Sequence, residues 1–230
     1  MHAAIAISAQ AEWAVVRAAH RDAALEYTPW GEAFARVIDA GGRALPVVFF
    51  HGGWGKVAAA GSTQYAIARW KPRYLVNLGT CGGFGDSIER YTILLFERTI
   101  IYDIQEAMGD AAEAIAAYTT TLDLSWLRGT DPSSVRRSLL LSADRDLRPT
   151  ELAELSARYR AIAADWESGA IAYICQRNHQ RALILRGVSD LVHPTGASAY
   201  GNMAHFEEGT ERVMQKLLAD LPLWLARCPD

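Results

Sequence analysis

Lys71-Pro72-Arg73-Tyr74-Leu75-Val76-Asn77-Leu78-Gly79-Thr80-Cys81-Gly82-Gly83 holds the signals from which the fold is read. Lys71-Pro72 ends the helix-spaced run Lys56–Trp70, because the residue before a proline resists the helical conformation. Tyr74–Leu78 is a short apolar run of strand character, and glycines follow it at once. Working outward, the same alternation recurs along the chain. Strands are expected at Ala3–Ser8, Leu45–His51, Tyr74–Leu78, Tyr91–Phe96, Ser138–Ser142, Ala161–Asp165 and Ala182–Val188. Helices are expected at Ala11–Ala19, Lys56–Trp70, Thr150–Tyr159, Glu167–Arg177 and Phe206–Leu218. Short strands alternating with amphipathic helices predict an α/β fold: one domain over residues 1–230, a three-layer α/β/α sandwich whose central sheet is mixed and mostly parallel. The segment Asp103–Arg137 is expected to form a loop and helix over the site.

Composition narrows the partners. At 230 residues, with half of them hydrophobic and 21% charged, the chain has the make-up of a globular domain. A net charge of −3 offers nothing to nucleic acid or an anionic membrane. No apolar run approaches the roughly 20 residues of a membrane span. Met1-His2-Ala3-Ala4-Ile5 lacks the basic start of a signal peptide, and Cys81, Cys175 and Cys228 are too few and too widely spaced for a disulfide framework. The expected compartment is the cytoplasm. No histidines among His2, His20, His51, His179, His193 and His205 have metal-ligand spacing, so neither metal nor cofactor is expected.

Ligands of α/β sheets bind at the carboxyl ends of strands, which makes the polar residues there the first candidates for chemistry. Gly52-Gly53-Trp54-Gly55-Lys56 could turn backbone N–H groups toward a ligand or be a tight structural turn; it fits neither the dinucleotide fingerprint nor the P-loop. Thr80 among its glycines is either part of a sugar or phosphate site or a turn residue satisfying local backbone. In Asp165-Trp166-Glu167 the carboxylates either cap the following helix or hold a polyhydroxylated ligand whose flat base packs on the indole. Asp190, after Ser189, is a turn former or an acid. Cys81 has no visible paired base and reads as a buried small residue.

In order and together, Glu12 after the first strand, Gly52–Ala60, Tyr74–Gly83, Ala163–Ala172 and Leu183–Asp190 resemble the superfamily of purine nucleoside phosphorylases and 5′-methylthioadenosine/S-adenosylhomocysteine nucleosidases, while about Thr99 to Arg137 matches it poorly. The resemblance implies a nucleoside phosphorylase-like fold and cleavage of a purine nucleoside at its N-glycosidic bond, the substrate being 5′-methylthioadenosine/S-adenosylhomocysteine or a related adenosine- or futalosine-like nucleoside. Asp190 would protonate the five-membered ring of the base, aided by Ser189; Glu167 would hold the ribose hydroxyls; Glu12 would activate water, with Thr80 and Arg186 beside it. Leu147, in Ser142-Ala143-Asp144-Arg145-Asp146-Leu147, matches the segment whose backbone reads the base. Gly82, Trp54, Trp166 and Phe206 complete the implied substrate-binding set. Relatives are dimers or larger, which implies a homodimer, and Lys56–Trp70 could serve the interface.

Within that resemblance, hydrolysis is favoured. Phosphorylases place an arginine two residues before the glycine where Asn77 stands, and an amide lacks the charged fork that phosphate recognition favours. Their Gly-Asp-Pro loop is replaced by Ala9-Gln10-Ala11-Glu12, whose carboxylate would repel phosphate and suit water. A phosphorylase binding phosphate through Arg17 or Arg186 is one alternative, and a silent nucleoside-binding domain is another. Trp166 and Trp54 replace the family's methionine and small aliphatic residue beside the ribose, and either fill the 5′ pocket or stack on a different group.

Overall fold

Side chains alternate between the two faces of a strand, and the first strand, β1 (Ala3–Ile7), shows what that does here. Ala3, Ile5 and Ile7 share one core with Trp13, Val16, Val213, Leu217 and Trp224. Ala4 and Ala6 share the other with Ala59, Ala66, Ala170, Ile171 and Cys175. The first set of partners comes from helices α1 (Gln10–Ala19) and α6 (Met203–Ala226), the second from α2 (Gly55–Trp70) and α5 (Ser168–Arg177). A sheet apolar on both faces therefore sits between two pairs of helices, a three-layer arrangement.

The computed structural model describes residues 1–131 and 135–230. The remaining strands are β2 (Glu26–Tyr27), β3 (Glu32–Asp39), β4 (Ala44–His51), β5 (Tyr74–Phe84), β6 (Ile93–Ile101), β7 (Thr119–Thr121), β8 (Val135–Ser142), β9 (Ala163–Asp165), β10 (Arg181–His193) and β11 (Gly196–Ala197). The core strands β4, β1, β5 and β10 pair side by side in parallel. Beyond them the sheet folds back on itself: β10 pairs with β6, β6 with β8, β8 with β9, and β9 returns to β5. Five strands thus close a ring at the carboxyl end of β5. A third apolar cluster (Phe84, Tyr102, Leu141, Leu147, Leu152, Val192) fills beside it, with Leu152 on α4 (Leu152–Tyr159).

Two strands run past the ends expected for them. β5 continues from Leu78 to Phe84 and β10 from Val188 to His193, so Thr80 and Asp190 lie within strands rather than after them. The glycines that read as turns are places where another group needs the space of a side chain. A Cβ on Gly79 would stand 2.1 Å from Arg186 Nη1 and 2.7 Å from Glu12 Oε1, and one on Gly83 would stand 2.7 Å from Val188 Cγ1. Pairing of β10 with β5 slips between Val188 and Asp190. Such a bulge re-aims the side chain that follows it, here Asp190.

Other departures have equally local reasons. Strand β3, which buries Phe34, adds to the expected set; its hairpin to β4 turns on Gly41 and Gly42, both with positive φ, a conformation that suits glycine. Helix α6 runs eight residues past Leu218, to Ala226, because Leu221, Trp224 and Leu225 complete its apolar stripe. Asp103–Arg137 does not cover the site: it forms α3 (Ala111–Ala117) and β7, which pairs with β6, and none of its described residues lines the cavity over the carboxyl end of β5. Residues 132–134 of that segment lie outside the described residues.

Trp224 is fully buried between α6 and the sheet. Trp224→Ala is expected to lower unfolding stability by about 3–5 kcal/mol, and urea titration of the variant against the parent protein measures it.

Candidate active site

A cavity of about 500 Å³ lies over the carboxyl-terminal half of β5. That is ample for a small organic ligand. β5 supplies its floor. At one end Thr80 faces Glu12, which α1 carries in its first turn; at the other, Gly82 lies close to Leu147 and Asp190, since a Cβ there would stand 3.5 Å from Leu147 Cδ1 and 3.8 Å from Asp190 Oδ2. Gly79, beside Glu12, and Gly82 are three strand steps apart, about 10 Å. Two acidic ends face one another over that span.

The first end is built on Arg186, whose side chain is 1% exposed. Its guanidinium meets Asp165 at 2.9 Å, Glu12 at 3.5 Å and Glu167 at 3.8 Å. Its Nε donates to Ser168 Oγ at 3.0 Å and Nη2 to Asn77 Oδ1 at 3.0 Å. Glu12 Oε1 accepts from the Thr80 N–H at 2.6 Å and the Thr80 hydroxyl at 2.9 Å, while Oε2 accepts from the Ala9 N–H at 3.1 Å. Three carboxylates thus share one buried cation. Burial pushes the Glu167 carboxyl up to about 8, against the pull of Arg186 and with the charges of Asp165 and Glu12 adding to it.

Of the two readings open for Asp165-Trp166-Glu167, each carboxylate takes a different one. Asp165 Oδ2 accepts from the Ser168 N–H at 3.0 Å and Oδ1 from Ser142 Oγ at 2.6 Å, so Asp165 caps α5. Glu167 instead reaches the start of α2, where Oε1 accepts from the Gly55 N–H at 3.1 Å. The neighbouring Lys56 N–H goes to Asp144 Oδ1 at 2.7 Å, so the glycine run turns its amides to the protein's own carboxylates. Thr80 likewise serves Glu12 across the fold and no local turn.

At the second end, the Ser189 hydroxyl donates to Asp190 Oδ1 at 2.7 Å. Burial pushes the Asp190 carboxyl up, opposed by that hydrogen bond and by the charge of Arg90. Tyr200, on the loop after β11, donates its hydroxyl to the Leu147 carbonyl at 2.7 Å, and Asn202, Met203 and Phe206 close the wall at the start of α6. Trp54 and Trp166 stack on one another with ring centroids 4.9 Å apart, and Trp54 stays 68% exposed at the rim. The indoles line the cavity without filling it.

Glu12, Glu167, Asp190, Thr80, Gly82, Trp54, Leu147, Trp166, Ser189 and Phe206 all line this one cavity. Arg186 lies behind its wall, and Arg17 does not line it and pairs instead with Glu32 at 3.8 Å. Cys81 is buried, and burial pushes its thiol well up, away from nucleophilic use. No metal-holding cluster occurs among the described residues. Asp146, Tyr200 and Asn202 were not singled out from sequence; the turn-forming stretch Pro194-Thr195-Gly196 after a long strand was the available signal for the latter two.

The model of the family described as the Phosphorylase superfamily matches residues 5–220. The 5′-methylthioadenosine/S-adenosylhomocysteine nucleosidase of Maridesulfovibrio salexigens is 28% identical over 67% of this chain and 72% of its own length. That of Bacillus subtilis is 24% identical over 63% and 68%. Among solved structures, the corresponding Neisseria meningitidis nucleosidase in complex with methylthio-immucillin-A superposes with a TM-score of 0.76 at 20% identity, covering 98% of this chain and 99% of that one. The Streptococcus pneumoniae nucleosidase with 8-aminoadenine gives 0.77 at 16% identity, over 99% and 100%.

Arg186→Met leaves three buried carboxylates without their cation and is expected to cost about 3–5 kcal/mol of stability. With the cation gone the raised pKa of Glu167 climbs further above its unfolded value, so the loss deepens as pH increases. Urea unfolding at pH 5 and pH 8 checks both the size and the sign.

Proposed function

Since the chain belongs to the phosphorylase superfamily, we propose that it hydrolyses the N-glycosidic bond of a purine nucleoside, of the 5′-methylthioadenosine/S-adenosylhomocysteine type. The observation that carries this reading is the spacing of two acidic centres along the floor of one cavity, Glu12 and Glu167 beside Thr80 and Asp190 beside Gly82. A nucleoside laid along β5 puts its ribose over Thr80 and its base over Gly82, where glycine leaves room for a ring.

Asp190 donates its proton to the five-membered ring of the base. The C1′–N9 bond then breaks with its electron pair going to a neutral leaving group, and positive charge develops on the sugar. Burial supports the role, because it keeps a carboxyl protonated closer to neutral pH. Glu167 accepts hydrogen bonds from the ribose hydroxyls and opposes the sugar's charge. Glu12, oriented by Thr80 and Ala9, takes a proton from the water that attacks C1′. The products are free base and free sugar.

Water rather than phosphate is the acceptor. A phosphate clamp needs cationic donors to spare, and Arg186 already serves three carboxylates while Arg145, on the cavity wall, is paired with Glu151 at 2.7 Å. The assembly we propose is a homodimer, supported by the apolar surface that Trp54 and Val57 leave exposed at the start of α2. Three free, buried cysteines support a reducing compartment, the cytoplasm.

Asp190→Asn is expected to lower kcat/KM by about 10²–10⁴-fold, read as free-base release from 5′-methylthioadenosine without phosphate. Strict phosphate dependence, with sugar 1-phosphate as product, would overturn the reading. In the parent enzyme kcat/KM should fall as pH rises through the raised pKa of Asp190, because the acid then loses the proton it must donate; a rate that climbs over that range assigns protonation to another group.

A further inference from the structure

The bulge that aims Asp190 is held from outside the sheet. Ser189 is the extra residue of that bulge, since pairing passes from Val188 opposite Cys81 directly to Asp190 opposite Gly82. The Ser189 carbonyl accepts from Arg90 Nε at 2.5 Å, and Nη2 of the same guanidinium donates to the His205 carbonyl, in the first turn of α6, at 2.9 Å. Arg90 belongs to the turn between β5 and β6, and that turn is fastened to the same place. The Tyr91 N–H donates to the Val188 carbonyl at 2.7 Å, and the Val188 N–H donates to the Thr92 carbonyl at 3.0 Å. Tyr91 takes a φ of 72° there, a left-handed conformation that a bulky residue keeps only where its surroundings impose it. Helix α6 leaves space for the arrangement at Gly209, where a Cβ would stand 2.4 Å from the Ser189 oxygen and 2.7 Å from Arg90 Nη2. Three elements thus converge on one peptide beside the acid.

The consequence is both geometric and electrostatic. A bulge residue is left out of the ladder, so its peptide needs another donor to hold it, and rotation of the Ser189 peptide would swing the side chain of Asp190. The planar fork of Arg90 holds that carbonyl at a set angle to α6. Both bonds go to neutral carbonyls, so the positive charge still acts on Asp190. The groups that face this carboxyl are Ser189 from β10, Arg90 from the turn before β6, His205 from α6, Asp146 from the segment after β8 and Tyr200 from the loop after β11. Burial pushes the Asp190 carboxyl up, and the Ser189 hydrogen bond and the charge of Arg90 draw it back. An acid that held its proton too firmly would donate poorly, because proton transfer is most effective when the pKa lies near the working pH. Resting on the nucleosidase reading above, we propose that Arg90 is the positioning residue of the general acid: it fixes the Ser189 peptide so that Asp190 faces the base, and it sets one positive charge beside the carboxyl.

Arg90→Gln and Arg90→Lys test this, with 5′-methylthioadenosine as substrate and rates referred to the folded fraction measured by circular dichroism. Arg90→Gln is expected to lower kcat at least about tenfold while KM stays within about threefold, since a misaimed acid is missed only in the transition state. The alkaline limb of its pH–rate profile should move to higher pH, because the charge that favours the ionised carboxyl has gone. Arg90→Lys keeps the charge and lacks the fork; its limb should return toward that of the parent while kcat stays low. An arginine that served stability alone would lower the folded fraction and leave kcat and the limb where they were. That result overturns the proposal, as does a loss carried by KM alone, or a limb that stays or moves down in Arg90→Gln. If no nucleoside releases its base from the parent enzyme, the hydrolase reading fails on its own, and the titration of Asp190 is then followed by carboxyl-carbon NMR, with Asp190→Asn for assignment. A pKa that rises in Arg90→Gln and returns in Arg90→Lys upholds the role of Arg90, and one that does not move ends it.

Discussion

The buried guanidinium of Arg186 is the constraint around which the rest of the site is arranged. It lies on β10, with Asn77 from β5, Glu12 from α1, and Asp165, Glu167 and Ser168 from the junction of β9 and α5 all within reach. A buried cation is tolerable only when its donors are satisfied, and a buried carboxylate only when a cation or hydrogen bonds answer it. Each group therefore requires the others. Gly79 must lack a side chain because the guanidinium fills that volume. Asn77, which from sequence bears on the choice between water and phosphate, also anchors Arg186 inside the sheet.

One cation among three carboxylates is an incomplete neutralisation, and the imbalance is useful. It adds to the burial that raises the proton affinity of Glu167 and leaves the cavity wall rich in acceptors. Acceptors suit hydroxyls, water and amines, and they repel phosphate. The same logic extends to the far end, where burial holds the Asp190 carboxyl up and the charge of Asp146 adds to it. The electrostatic character of the whole cavity is thus the opposite of a phosphate clamp.

Function here depends on places where regular structure is interrupted. The slip in pairing between Val188 and Asp190 turns the acid toward the cavity, and the missing side chain at Gly82 leaves the floor open for a ring. The stacked pair Trp54 and Trp166 stands directly before Gly55 and Glu167, which puts two indoles beside the acidic end of the cavity. A rigid sheet held between two helix layers supplies the precision, and the exceptions in it supply the chemistry.

Much of this was legible without coordinates. The alternation of apolar runs with helical spacing, the stop at Lys71-Pro72 and the glycine runs are consequences of local backbone sterics and side-chain periodicity, which a chain carries in its own order. They determined the layered α/β fold and marked Glu12, Thr80, Glu167 and Asp190 as polar groups near strand ends. Local rules could not reveal that β5 and β10 run on through their glycines, because what excludes a side chain at Gly79 is an arginine 107 positions away on another strand. Nor could they divide the work between Asp165 and Glu167, which follow the same pattern in sequence and part company only when one meets Ser168 and the other Gly55. Glu12 and Arg186 are 174 residues apart. Their meeting depends on the order of strands in the sheet, and only the tertiary structure decides that.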